Sequence, residues 1–197
     1  MLLPFFNKNG IEAGCDEAGR GPLAGSVFAS SVIWPKSLLV PEIDDSKKLS
    51  EKKRLFLRDF IERNAIDYHV AMVDIDDIAR INILNATIKA MHLALNGLTV
   101  KFNRILVDGN RFKDYKNIEY HTIVKGDGKY LSIAAASILA KTYRDEYMQK
   151  LDKEYPLFQW AKNKGYGTKA HREAILKYGL TKYHRKEFCE KILKKKK

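Results

Sequence analysis

The feature that most limits what this chain can become is where its acids stand. Alternating Ile11, Ala13 and Cys15 form a strand-like run that meets Asp16 and Glu17, and the short apolar run Arg104 to Val107 meets Asp108 and Gly109. A third run, Tyr120 to Val124, leads into Lys125, Gly126 and Asp127. Burying an unpaired carboxylate is costly, so acids at strand ends need a cation or a hydrogen-bond network, or else they serve as turn and cap residues. Each acid alone fits the turn reading. The four together point to a cluster at one edge of a sheet.

Around these acids the periodicity sets out a mixed α/β architecture. Ser26 to Trp34 is expected to pair with the first strand across a glycine-rich turn, and Ile66 to Val73 to follow, so that the early strands form a meander. Ser50 is placed to cap a helix over about 51–64, with Leu55, Leu57, Phe60 and Ile61 on its apolar side. A second helix is expected from Asn82 to Asn96, closed by Gly97, and a long buried one from Ser132 to Lys150. The remainder reads as short helices around Lys162 to Thr168. Strands that alternate with helices after a meander give a mixed sheet with helices on its faces. At 197 residues and 45% hydrophobic content the chain suits one domain, residues 1–197. Its α/β core is expected at about 10–155 and a basic helical region at about 156–197.

The charge is unevenly distributed. Residues 1–140 hold 19 basic and 17 acidic side chains and residues 141–197 hold 17 and 7, so +10 of the net +12 lies in the C-terminal part. Such a field is the footprint of a polyanion-binding surface, or equally a solvated face ending in the tail Lys194 to Lys197. No apolar run reaches the roughly 18 residues needed to cross a bilayer, and the N-terminus lacks the basic start and cleavage site of a signal peptide. A soluble, cytoplasmic protein is therefore expected. Cys15 and Cys189 have neither zinc-ligand nor disulfide spacing and read as inert thiols.

An all-oxygen cluster suits hard cations such as Mn²⁺ or Mg²⁺, and phosphodiester hydrolysis is the reaction it supports. Two ions about 4 Å apart can activate a water, stabilise the transition state and steady the leaving 3′ oxygen. Successive strand residues point to opposite faces, so Asp16 and Glu17 share a site only if the strand bends or ends there. Gly19-Arg20-Gly21 follows at once. Its small residues let backbone N–H groups approach a ligand closely, and Arg20 can fork onto a phosphate.

The segment Asp16-Glu17-Ala18-Gly19-Arg20-Gly21-Pro22-Leu23-Ala24-Gly25 closely resembles the N-terminal signature of the type 2 ribonucleases H, in particular the bacterial ribonuclease HII group. It is followed in the same order by Asp45-Ser46-Lys47-Lys48-Leu49-Ser50, Val107-Asp108-Gly109-Asn110, Lys125-Gly126-Asp127, the run Ser132 to Lys141, and Asn163-Lys164-Gly165-Tyr166-Gly167-Thr168. The resemblance covers residues 11–172. It implies an RNase H-like fold, a five-stranded mixed β-sheet flanked by helices with a helical C-terminal region, and a divalent-metal site made of Asp16, Glu17, Asp108 and Asp127. It also implies that Gly19, Arg20 and Gly21 contact the ribonucleotide 2′-OH, that Tyr166 packs against the sugar at the RNA–DNA junction, and that Lys47, Ser132, Ser137 and Lys141 contact phosphates. The implied enzyme is an endonuclease acting on RNA–DNA hybrids and ribonucleotide-containing duplex DNA. It would leave 5′-phosphate and 3′-hydroxyl ends, in ribonucleotide excision and primer removal. Without the resemblance Lys47 reads as a solvated loop lysine, Ser132 and Ser137 as helix packing, and Tyr166 as an exposed loop aromatic.

Two other readings are weighed. The sister enzyme ribonuclease HIII carries an extra N-terminal domain, for which the 15 residues before Asp16 are too few. A noncatalytic basic protein that coats nucleic acid explains the charge but not the four acids. Asp145 resembles another recurrent acid of the family and is read as structural, paired with an arginine. His171 and His184 are read as surface or binding-patch residues, because no Cys or Ser nucleophile is spaced to use them. A monomer is expected, and contact between the lysine tail and a replication clamp stays open.

Overall fold

The computed structural model of the protein describes residues 2–40, 42–43, 46 and 49–194. The alternating N-terminal run forms β1 (Glu12–Ala18), which pairs antiparallel with β2 (Val27–Ile33), and β2 pairs antiparallel with β3 (Asp67–Val73). On the other side of β1 lie β4 (Arg104–Asp108) and β5 (Glu119–Ile123), both parallel. Among the described residues the strands form one five-stranded mixed sheet in the order β3-β2-β1-β4-β5. The meander and the later β/α alternation read from the sequence are both present. One detail differs: β1 does not end at the acids, because Asp16, Glu17 and Ala18 remain paired with Ser30, Ala29 and Phe28.

The helices begin where their caps dictate. Helix α1 (Glu51–Asn64) starts at Ser50, whose hydroxyl accepts from the Lys53 amide at 3.2 Å. Leu57 and Ile61 are buried, whereas Leu55, expected on the apolar side, is exposed. Helix α2 (Ile75–Asn96) starts well before the expected Asn82, because the Asp74 side chain caps a first turn by accepting from Asp77 N at 2.9 Å. The expected start survives as a break: Asn82 has φ 64°, and its side chain caps the second segment through the Asn85 amide. Helix α3 (Leu131–Glu154) is followed by α4 (Trp160–Asn163), α5 (Lys169–Tyr178) and α6 (Lys186–Leu193). Residues 164–168, expected as helix, are instead irregular. Lys164 and Gly165 have φ of 51° and 82°, which no right-handed helix continues.

Helix α2 covers one face of the sheet, burying Ala90, Met91 and Leu95 against Ala13, Cys15 and Ile105. Helices α1 and α3 cover the other, around Val32, Leu57, Ile61 and Ile138. Beyond α3, its Met148 and Leu151 pack with Phe158, Trp160, Ile175 and Cys189 under the C-terminal helices. The closest approach is between α3 and β1. A Cβ on Gly14 would lie 2.4 Å from the Ser132 carbonyl carbon, so only glycine lets the small-residue face of α3 lie flush on the strand that carries Asp16.

That contact gives a direct comparison. Gly14→Ala should lower stability by about 1–3 kcal/mol, the usual effect of overpacking, with an unchanged urea m-value. Gly128→Ala, where an added Cβ meets nothing within 4 Å, should stay within about 0.5 kcal/mol of the parent. Equal unfolding midpoints for the two variants would contradict the packing described.

Candidate active site

Most of the residues marked by the sequence meet at the carboxyl ends of β1 and β4, where parallel strands characteristically leave room for a ligand. Cys15 pairs with Val107 in parallel register, which brings Asp16 beside Asp108, the last residue of β4. Asp127 stands in the 3₁₀ turn Gly126–Gly128 just ahead of α3. The Gly126 amide donates to Asp108 Oδ1 at 2.7 Å and ties that turn to the strand end. One carboxylate oxygen from each of Asp16, Asp108 and Asp127 lies within 4.8 Å of the others. Asp16 and Asp127 are each only 4% exposed.

Burial is the main force on Asp16 and pushes its carboxyl well above the ordinary carboxylate value of 3.8, with further repulsion from Glu17 and Asp108. A hydrogen bond from the Ser137 hydroxyl and one from the Glu17 amide, at 2.6 Å, oppose this only partly. Ser137 in turn lies 2.9 Å from the Ser46 hydroxyl. Glu17 is the next residue of β1, still in register with Ala29. It lies outside the group of three but lines the same pocket, where Arg20 pairs with it at 3.2 Å.

The pocket in front of the acids holds about 300 Å³ and is walled by Asp16 to Gly21, Ser137, Lys141, Arg144 and Tyr166. Tyr166 is 47% exposed and lines the pocket beside the glycine segment, its Cε1 being 3.8 Å from where a Cβ on Gly21 would sit. Lys141 Nζ lies 2.5 Å from Asp145 Oδ1, and burial draws the ammonium pKa below its usual value despite that partner. Asp145 also faces Arg54 at 4.0 Å, so the arginine pairing expected of it is present, with the lysine nearer.

Two of the expected contacts are not brought to this pocket. Ser132 is buried against Gly14, two residues back along β1 from Asp16, and lines a separate cavity with Trp34 and Ile66. Lys47 lies outside the described residues.

His171 and His184, expected at the surface, are 0% and 2% exposed. They pack among Phe158 and Trp160, and their Nε2 atoms approach to 3.1 Å. Burial lowers the pKa of both, that of His184 to about 4, so they are neutral at neutral pH. Sequence reasoning also missed Arg144 and Arg185, each 1% exposed. A signal existed for Arg144: Ser137, Lys141 and Arg144 recur at helical spacing along a helix whose first ten residues, Leu131 to Ala140, are all small or apolar. The cysteines are buried and free, and burial pushes both thiols up, Cys189 to about 11. Among the described residues no helix is long and apolar enough to cross a membrane.

Comparison with known proteins extends this geometry to whole chains. The family model for ribonuclease HII matches residues 13–191. The ribonuclease HII of Parabacteroides distasonis is 58% identical over 188 residues, 95% of this chain and 94% of that protein. The crystal structure of the ribonuclease H2 from Pyrococcus horikoshii aligns with a TM-score of 0.79 at 26% identity, covering 94% of this chain and 98% of that one. A Bst ribonuclease HIII solved in complex with Mn²⁺ shares the fold at a TM-score of 0.75 and 17% identity, covering 95% of this chain and 70% of its own. A family match across nearly the whole length, joined to a relative more than half identical, shows that the chain belongs to the ribonuclease HII family, ribonucleases H that act on RNA–DNA hybrids.

Proposed function

We propose that this enzyme hydrolyses the RNA strand of RNA–DNA hybrids and also incises 5′ of ribonucleotides embedded in duplex DNA, leaving 5′-phosphate and 3′-hydroxyl ends. The observation that carries this reading is the group of three carboxylate oxygens within 4.8 Å near the carboxyl ends of β1 and β4, with burial and then neighbouring acids raising the Asp16 pKa. The donor set fits a hard cation. It is all oxygen, and opposite ligands of one Mg²⁺ stand about 4 Å apart, so the carboxylates need close by no more than about an ångström. Asp16, Asp108 and Asp127, with Glu17 beside them, would hold Mn²⁺ or Mg²⁺. Paired divalent ions there would supply water activation and neutralisation of charge on the scissile phosphate and leaving oxygen.

The chain's own groups do the rest. Ser137 and the Glu17 amide fix the Asp16 carboxylate by hydrogen bonds. Lys141, at the pocket wall, is placed to meet a phosphate, and exchanging Asp145 for that phosphate would keep its charge balanced. The backbone of Gly19 to Gly21 can approach a 2′-OH closely, while Arg20, half-exposed beside Glu17, would fork onto a phosphate. Tyr166, beside Gly21, would rest on the following sugar and favour a deoxyribose, so that the junction is read and not the base. Exposed lysines of the C-terminal part, such as Lys169 and Lys182, would add affinity for any duplex, and the helical region backs the catalytic core as one unit. Such a specificity would serve ribonucleotide excision and primer removal, and the proposal includes action in the cytoplasm as a monomer. A protein that merely coats nucleic acid leaves the buried acids without a purpose.

An end-labelled duplex carrying one ribonucleotide tests the reading. It should be nicked once, 5′ of that ribonucleotide, with Mn²⁺ or Mg²⁺ and not with EDTA. Cleavage that persisted in EDTA, or that left a 2′,3′-cyclic phosphate, would refute metal-assisted attack by water. Tyr166→Ala should reduce kcat/KM at that junction about tenfold or more, the factor produced by losing about 1.4 kcal/mol of transition-state contact, with little dependence on base.

The metal site also carries a stability signature. Because the folded pKa of Asp16 is raised, its protonated form is favoured, and its contribution to stability is full below about pH 3.8 and lost as pH rises through the folded pKa. Asp16→Asn keeps the acceptor oxygen but removes the charge. At neutral pH without metal its Tm should exceed the parent's by roughly 2–4 °C, and the rise in Tm that Mn²⁺ gives the parent should vanish. A lower metal-free Tm, or an unchanged Mn²⁺ response, would contradict the arrangement.

A further inference from the structure

Behind the pocket, four buried polar side chains have no part in the chemistry so far. Arg185 projects into the loop that joins β1 to β2 and donates to the carbonyls of Gly19, Arg20, Pro22 and Gly25, at 2.6 to 3.1 Å. Its own amide donates to Leu23 O at 2.8 Å. Arg144 donates to Ala24 and Ser26 O of the same loop and to Lys164 O of the loop that carries Tyr166. Among the described residues neither guanidinium has a carboxylate partner. Burying a cation this way is unfavourable, and the Arg185 pKa falls to about 9 through burial and the nearby Arg144. No lysine could fork onto four carbonyls. Arg185 thus fixes the course of the glycine segment at a cost in stability.

The preceding residue grips the loop that carries Tyr166. Thr181 N donates to His184 Nδ1 at 2.9 Å, so neutral His184 carries its proton on Nε2, facing His171 Nε2 at 3.1 Å. Trp160 Nε1 donates to that same His171 nitrogen, which leaves the His171 proton on Nδ1, donated to Tyr166 O at 2.9 Å. The relay from Thr181 through both histidines to the Tyr166 carbonyl therefore has a single direction. The two loops also touch, through Leu23 N to Gly165 O at 2.8 Å and at Gly21 against the Tyr166 ring.

We propose that the consecutive residues His184 and Arg185 are positioning residues that set the spacing between the glycine segment and Tyr166, and thereby the selectivity for a ribonucleotide followed by a deoxyribonucleotide. The proposal rests on the assignment of those two elements as readers of the 2′-OH and the next sugar. Misplacement by about an ångström is enough to change rates by about a hundredfold. Long hybrids present no deoxyribose to Tyr166 and depend on only one side of the clamp.

The test is a double-mutant cycle in the full-length enzyme, with kcat and KM measured on a duplex holding one ribonucleotide and on a long RNA–DNA hybrid. Arg185→Lys and His184→Asn, the latter keeping the acceptor for Thr181 but breaking the relay, should each lower kcat/KM on the single-ribonucleotide duplex at least about fivefold more than on the hybrid. His184→Gln, which restores a donor near the Nε2 position, should recover most of that selectivity. In a Tyr166→Ala background each clamp variant should cost less than about twofold in selectivity, because the element it positions is gone. Equal losses on both substrates, full additivity with Tyr166→Ala, or no rescue by glutamine would overturn the clamp. Should Arg185→Lys fail to fold, the His184 pair decides the matter alone. If Tyr166→Ala by itself leaves junction cleavage unchanged, the assignment of Tyr166 falls and the clamp with it. If Tyr166→Ala is damaging and the cycle is additive, only the clamp falls.

Discussion

Three carboxylates held close together, two of them buried, repel one another, and the fold must be stable enough to keep them there. The flush contact between α3 and β1 makes that possible. Gly14 removes the side chain that would separate helix from strand, and α3 is small and buried all round from Ala134 to Ser137. That approach brings the Ser137 hydroxyl to Asp16, and it places the turn bearing Asp127 against the end of β4. The acids are thus gathered by backbone packing before any cation is present. Preorganisation of this kind spares the reaction the work of assembling its own site.

The cations of the site are arranged in the complementary way. Arg144 and Arg185 are buried beside the same loop, yet their guanidinium groups are taken up by backbone carbonyls and not by the acids. Lys141 is held by Asp145 on its own helix. The buried arginines thereby give a fixed shape to a loop rich in glycine. Neutral histidines do the same for Tyr166.

Much of this was legible in the sequence because it rests on local signals. The strand that carries Asp16, the Ser50 cap, the Gly97 stop and Asp108 at the end of β4 are written in two-residue and four-residue patterns. The start of α2 was misplaced because two caps, Asp74 and Asn82, compete within one stretch, and the second has the stronger apolar run behind it. His171, His184 and Arg185 were misread or missed for a different reason. Their burial is produced by contacts across 160 or more residues of chain for Arg185 and by aromatic neighbours for the histidines, and no local pattern announces that a charged or polar side chain will turn inward. Ser132 was legible as helix but not as packing against Gly14, since close approach of two backbones is a property of the pair.

Crystals soaked in Mn²⁺ and measured at the manganese absorption edge would show where the ion goes. The geometry predicts anomalous density bounded by Asp16, Asp108 and Asp127, within coordination distance of at least two of them, and its disappearance in Asp108→Asn. Density elsewhere on the molecule with none among these three acids, or density that persists unchanged in Asp108→Asn, would contradict the view that the fold exists to hold them for a cation.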